Sequence, residues 1–256
     1  MKRILTAAFG AAATLVAAPA SAVTLDNGIV LITQADAVAG GITPGDTPGF
    51  PVTLSETGSY RFASNLLVST LVNGIEVRAP EVTIDMNGFR LAGSAQGRNG
   101  ITSFFRALTV MNGSIRGFTL DGVRTVGQDL VVDNMRITDN GRNGVIADDF
   151  SLGTNVDSAS ITNSDVSRNV YGVTCTRYCL IQNNTISGNS QTGFTIHGLG
   201  GIVLNNTVTG NLEGMYIALP NAVGVGNTTL LNNSLGVNST GENFIPMDPN
   251  ACSPAC

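Results

Sequence analysis

The 256-residue sequence predicts an all-β protein, a parallel β-helix of about eight coils with three short strands in each, and three observations carry that expectation. First, the stretch QNNTISGN at 182–189 returns as LNNTVTGN at 204–211, 22 residues later. Second, a glycine followed by an apolar residue recurs as Gly74-Ile75, Gly100-Ile101, Gly122-Val123, Gly144-Val145, Gly172-Val173, Gly193-Phe194, Gly214-Met215 and Gly236-Val237, at intervals of 26, 22, 22, 28, 21, 21 and 22 residues. Third, 31 glycines, no tryptophan and only 12% charged residues describe short strands and tight turns with little helix. A period near 22 whose apolar positions cannot bury themselves alone implies coils that stack. Leucine-rich repeats share the period but need a fixed leucine frame, which is missing. Parallel strands that pair with their equivalents one coil above and below satisfy the pattern.

The elements follow in chain order. Residues 1–22 read as a secretory leader: Lys2 and Arg3, an apolar run from Ile4 to Ala18, then Ala20-Ser21-Ala22 in the small-x-small form of a cleavage site. The run is shorter than the roughly 20 residues a membrane span needs, so the expectation is a secreted or periplasmic protein cut near Ala22/Val23, without membrane insertion. Loss of Lys2 and Arg3 moves the formal charge from −5 to −7. A net-acidic chain lacking a Lys/Arg cluster argues against nucleic acid or an anionic membrane as partner. Residues 23–50 are expected to cap the first coil and to hold the one plausible helix, Ile32 to Ala39. The solenoid proper spans 51–240, and residues 241–256 close its far end.

Within the coils a second register is carried by Asn112, Asn134, Asn163, Asn183, Asn205 and Asn227. Apolar residues lie two before and three after each, as in Val110 and Ile115 or Ile181 and Ile186. A stack of identical turns suits asparagine, which tolerates the left-handed backbone and can bond its amide to the asparagine of the next coil. The 28-residue step contains the insertion DDFSLGTNVDSAS and the 26-residue step contains NGFRLAGSAQGR, both expected as loops. The four cysteines come as two C-x3-C pairs, Cys175/Cys179 and Cys252/Cys256, for which three disulfide connectivities exist. Alignment with neighbouring coils turns Cys175 and Cys179 inward across one corner, where a local bridge or two buried thiols would fit. Cys252–Cys256 would pin the C-terminal cap. Zinc is a poor alternative because His197 is the only imidazole and the pairs are far apart in sequence.

Strand alternation turns the second and fourth residues after each glycine outward. Arg124, Asp148, Asp149, His197 and Tyr216 would then surround the middle of a shallow groove, with residues 149–158 as one wall. Asp148, Asp149, His197 and Arg124 are the catalytic candidates, and Tyr216, Thr174, Thr195 and Arg177 the ligand contacts. Two strand spacings put Asp148 and His197 roughly 10 Å apart, too far for a direct hydrogen bond. The plainer alternative is a solvated face on which Arg124 and Asp148 form an ordinary surface ion pair. Phe104 and Phe105 would either stack on sugar rings or pack under a loop. No cofactor is firmly implied. Calcium is the one candidate, through Asp133, Asp139, Asp157 or Asp165, although nothing in their spacing makes them converge.

The stretches VTIDMNGFRLAG at 82–93, NGSIRGF at 112–118 and the NNTISGN…TGF units resemble the right-handed parallel β-helix repeat proteins, a group that includes pectate lyases, polygalacturonases and alginate epimerases. Residues 31–66 also resemble a segment of exported bacterial β-helix proteins. The resemblance covers nearly all of the chain after the leader and implies a polysaccharide as partner. Asp148-Asp149 and His197-Gly198 resemble two of the motif elements of polygalacturonase-like enzymes, whereas the Asn-Thr-Asp and Arg-Ile-Lys elements and the Asp-Pro-His-Asp element of alginate epimerases are missing. The function expected is an exported protein that binds a polysaccharide along the first-strand groove, with cleavage by a lyase or hydrolase reaction as its catalytic form. The alternative is a non-catalytic structural solenoid of the cell surface or envelope.

Overall fold

The computed structural model describes residues 25–94, 96–147, 158–198, 200–218, 223–226, 228–231, 235–239, 244–246 and 251–253, with side chains as far as Leu231. The expected leader, Asp148, Asp149, Asp157, Asn227, Cys256 and the side chain of Cys252 lie outside what it describes.

Three columns of strands build the molecule. Column I is a nine-stranded parallel sheet: Val52–Leu54, Ile75–Val77, Ile101–Ser103, Val123–Thr125, Asn143–Ala147, Tyr171–Cys175, Thr192–Ile196, Glu213–Ile217 and Leu235–Ser239. Eight of these are marked by the glycines read in the sequence, which stand just before the strand in the first three and as its second residue in the other five. The ninth, Val52–Leu54, follows Pro51 and so carries no glycine signal. Columns II and III form one 18-stranded sheet because Leu108–Arg116 and Leu130–Thr138 run unbroken through the corner between them. Pairing is parallel and in step with the repeat, as in Val123 opposite Val145, Val132 opposite Ile161 and Ile137 opposite Val166. This is a parallel β-helix.

The core is three inward columns of β-branched and aromatic side chains. Ile101, Val123, Val145, Val173 and Phe194 stack from column I, Val110, Val132, Ile161 and Ile181 from column II, and Ile115, Ile137, Val166 and Ile186 from column III, all fully buried. Such stacking removes most of each side chain from water, a gain of about 1.5–3 kcal/mol for each Val, Ile or Phe. The glycine column has a steric cause. A Cβ at Gly74, Gly122 or Gly193 would lie 2.6 Å from the carbonyl oxygen of Gly100, Gly144 or Gly214 in the next coil. Only glycine lets successive coils approach that closely.

The corners follow one grammar: a residue in the left-handed conformation, then a buried polar side chain. Between columns II and III the left-handed positions include Asn87, Asn112, Asn134, Asn163, Asn183 and Asn205, with φ of 49–60°. The residues that follow the last three, Ser164, Asn184 and Asn206, are buried. Asn184 Nδ2 donates to Asn206 Oδ1 at 3.1 Å and to the Ile161 carbonyl at 2.8 Å, and Asn206 Oδ1 also accepts from the Asn184 N–H. Between columns III and I the left-handed positions are Asp139, Arg168, Gly188 and Gly210, followed by Asn140, Asn169, Asn189 and Asn211. These four asparagines are at most 3% exposed. Their amides run coil to coil, Asn140 to Asn169 at 3.0 Å, Asn169 to Asn189 at 3.3 Å and Asn189 to Asn211 at 2.9 Å, each oxygen also accepting the backbone N–H of the preceding asparagine. The sequence reading followed only the partly exposed column; the two buried ones are additional.

The N-terminal rim is covered by three devices, one for each column. Strand Ile29–Ile32 pairs in parallel with Gly58–Phe62 and is covered in turn by Leu25–Asp26, so column II begins inside the segment expected as cap. Column I ends at Val52–Leu54, where Asp46 Oδ1 accepts the Thr53 N–H at 2.7 Å and Thr43 Oγ1 donates to the Thr53 carbonyl at 2.6 Å. Column III ends at Leu66–Val68, where the Gln34 amide accepts the Leu67 N–H at 2.6 Å. Side chains thus occupy edge groups that would otherwise recruit another strand. The helix is Gln34–Ala39, two residues shorter than expected, because Thr33 and Asp36 close a capping box that fixes its start and Ile32 remains in a strand. Cys175 and Cys179 form a disulfide across the corner that leaves column I, with Cα atoms 6.4 Å apart and both residues buried.

Two predictions follow from this packing. Asn189→Ala leaves the Asn169 N–H and the Val166 carbonyl without their amide partner inside the core. Urea unfolding should show a loss of about 2 to 6 kcal/mol, one to three for each orphaned group. Asn183→Gly, at an exposed left-handed corner, should cost less than about 1 kcal/mol. The second concerns Tyr60, whose ring is buried and whose hydroxyl donates to the Glu56 carbonyl at 2.7 Å. Burial, helped by the Glu56 charge, pushes its phenol up to about 12 from an ordinary 10.0. A raised value means the stabilisation is whole below the unfolded value near 10 and lost as pH climbs through about 12. The melting temperature should fall across that window, and fall less in Tyr60→Phe.

Candidate functional site

On the outer face of column I, in its C-terminal half, lies a groove of about 530 Å³. Strand pairing assembles it rung by rung: Ile146, Thr174, Thr195 and Tyr216 occupy one register, and Asn143, Tyr171, Thr192 and Glu213 the register at the mouth of each strand. Arg142 and Gln191, in the corner before the strands, complete one side, and His197, just past Ile196, the other. His197 is held in place by its backbone N–H, which donates to the Cys175 carbonyl at 2.9 Å. Its ring meets Tyr216 edge to face, centroids 5.9 Å apart.

Of the residues expected here, Thr174, Thr195, His197 and Tyr216 come together as groove lining. Thr174 and Thr195 are only 9% and 6% exposed, so they form a floor and not a projecting contact surface. Thr174 Oγ1 donates to Asn143 Oδ1 at 2.9 Å, and Thr192 Oγ1 to Glu213 at 3.4 Å. Arg124 lies on the same face one rung before Ile146, outside the lining. Among the described residues its ion partner is Asp121, at 3.4 Å, whereas the Asp148 considered from the sequence lies outside them. Arg177 belongs to the turn between the bridged cysteines and also lies outside the lining. Phe104 and Phe105 are exposed, 68% and 40%, so they are not packed under a loop.

Tyr171, Arg142 and Glu213 were missed by sequence reasoning, yet a signal was there. The residue before each column I glycine reads Asn73, Asn99, Asp121, Asn143, then Tyr171, Thr192, Glu213 and Leu235. The first four form a hydrogen-bonded ladder: Asn99 Nδ2 donates to Asn73 Oδ1 at 2.9 Å, the Asp121 N–H to Asn99 Oδ1 at 3.1 Å, and Asn143 Nδ2 to Asp121 Oδ1 at 2.8 Å. At Tyr171 the ladder stops and the groove begins.

Of the aspartates considered for calcium, the three that are described, Asp133, Asp139 and Asp165, are not gathered at one site. Asp139 is gripped by Arg168 at 2.8 and 3.0 Å, and that bond holds its carboxyl below the usual range. Asp165 pairs with Arg136 at 3.4 Å, and Asp133 accepts from Thr162 and Asn163. Among the described residues no three His, Cys, Asp or Glu side chains converge as a metal site. No described helix is long and apolar enough to cross a membrane.

No family model matches the chain, and no curated protein does. Among solved structures it is similar to the A-module of the Azotobacter vinelandii mannuronan C-5 epimerase AlgE4, with a TM-score of 0.50 at 12% identity over 89% of this chain and 86% of that one. A mutant of the periplasmic alginate epimerase AlgG gives 0.45 at 11% identity over 88% and 85%. The A-module of the Azotobacter vinelandii mannuronan C-5 epimerase AlgE6 gives 0.38 at 13% over 80% and 76%. At such identities the likeness is one of fold, and the fold that this chain has in common with the AlgE4 module is the parallel β-helix.

Proposed function

We propose that this protein binds a polysaccharide along the outer face of column I, with the chain crossing Tyr171, Tyr216 and His197. The observation that carries this reading is the groove itself, in which two tyrosines and an imidazole stand beside a guanidinium and a carboxylate above a floor of threonines. Sugar rings present apolar C–H faces and hydroxyl edges, and aromatic faces flanked by polar groups meet both needs. The rungs repeat about every 4.8 Å, which suits an extended polymer. The Cys175–Cys179 disulfide favours an oxidising compartment, in keeping with the leader expected over residues 1–22.

Cleavage is the finer claim. Hydrolysis of a glycosidic bond calls for two carboxyl groups about 5 to 9.5 Å apart. Among the described lining residues the carboxylate is Glu213, so catalysis would rest on Asp148 and Asp149 joining it. The second reading, a structural solenoid, is favoured by the internal pairing of Thr174 with Asn143 and of Thr192 with Glu213, which spends groove polarity within the protein.

A glycan array on residues 23–256, with and without calcium, separates these readings. Mannuronan belongs first on the panel, since the AlgE4 module that resembles this fold is a mannuronan epimerase. Binding should weaken about tenfold in Tyr216→Ala, the loss of one stacking contact worth about 1.4 kcal/mol. Product formation abolished by Asp148→Asn would make the protein an enzyme. Silence across plant, algal and bacterial polysaccharides would leave the structural solenoid.

A further inference from the structure

A second and larger concavity, about 690 Å³, lies on the other sheet, along the corner between columns II and III. It extends over four coils. Asn87, Asn112, Asn134 and Asn163 stack along it, with Asp85 from column II on one side and Arg136 and Asp165 from column III on the other. Three strand spacings make it about 14 Å long.

Its charges are already closed. Asp85 takes the Arg61 guanidinium at 3.2 Å, and Asp165 takes Arg136 at 3.4 Å. What remains is amide. Asn112 Nδ2 donates to Asp85 at 3.1 Å and Asn134 Nδ2 to Asn112 Oδ1 at 2.9 Å, so the ladder climbs two coils. There it breaks, because Asn163 Nδ2 donates to the carboxylate of Asp133 at 2.7 Å and a new run starts with Asn183 on Asn163 at 3.3 Å. A charged acceptor outcompetes a neutral amide oxygen. The Asn134 amide oxygen, in the middle of the trough, therefore takes no bond from the next asparagine.

We infer that this trough is a second glycan site, for a neutral, hydroxyl-rich oligosaccharide lying along the axis of the solenoid. Amides offer a donor and an acceptor side by side, and a hydroxyl is both at once. With Asp85 and Asp165 each facing an arginine, the charges of the trough are balanced, which favours a neutral ligand over a charged one. The length suits a short run of sugar rings better than a single ring. The choice of a sugar rests on the reading of the first groove, whereas the site rests on the interrupted amide ladder.

Calorimetric titration of residues 23–256 with cellohexaose, mannohexaose and a mannuronan hexamer tests this. Asn134→Gly is the informative variant, because glycine keeps the left-handed corner, φ 51° at present, while deleting the amide. Ser114→Ala, which removes a hydroxyl from the same lining, is the second. A neutral hexamer should lose at least fivefold in affinity in both variants and none in Tyr216→Ala, while the mannuronan hexamer shows the reverse. Neutral hexamers that respond to Tyr216→Ala alone would overturn the inference, as would a wild type that binds mannuronan through Tyr216 but no neutral hexamer. In those two cases the first groove stands. A wild type that binds none of the three overturns both.

Discussion

A parallel coil has no backbone partner within itself, so every peptide group must be answered by the coil above or below. Along the strands the ladders do this without help. At the corners the chain turns and the ladder pattern lapses, and the carbonyls and N–H groups there face the packed interior. Buried asparagines resolve the conflict, because one amide can accept an N–H of the preceding coil and donate to a carbonyl further back, as Asn184 and Asn189 both do. Left unmet, each of those groups would cost about 1–3 kcal/mol. The coil period, the glycine column and the left-handed corners are the geometry that brings these amides into register.

That dependence explains which parts of the molecule could be read from the amino-acid string. Period and apolar columns are properties of single residue types at fixed intervals, and so is the close approach that demands Gly122 or Gly193. The Asn112-to-Asn205 column was visible for the same reason. The buried columns were written just as openly, in the NN of 183–184 and 205–206 and the GN of 188–189 and 210–211. Separating them required knowing that the first member of each pair is left-handed and half exposed while the second turns inward, which is a fact of conformation. The rim devices at Thr43, Asp46 and Gln34 lie outside the repeat altogether, and each acts on a backbone group 7 to 33 residues away.

The candidate site was legible only in part. Alternation correctly brought Thr174, Thr195, His197 and Tyr216 to one face, since a strand offers two faces and the core takes one. It missed Arg142 and Tyr171 because they enter from the corner and the strand mouth, where alternation has no meaning. Tyr171 stands where four earlier coils carry a hydrogen-bonded ladder, so the groove opens where the repeat abandons its own rule.

The orientation of these bonds has a mechanical side. The ladder hydrogen bonds and the amide ladders alike run parallel to the long axis, while within a coil the connection is covalent. Tension along the axis is therefore borne by the coil interfaces in series, so the least reinforced interface limits the whole rod. Tension across it meets the chain itself. The molecule is built as a stack of stiff covalent hoops joined by a softer, polar mortar, and its directions of strength and weakness are set by which way its asparagines reach.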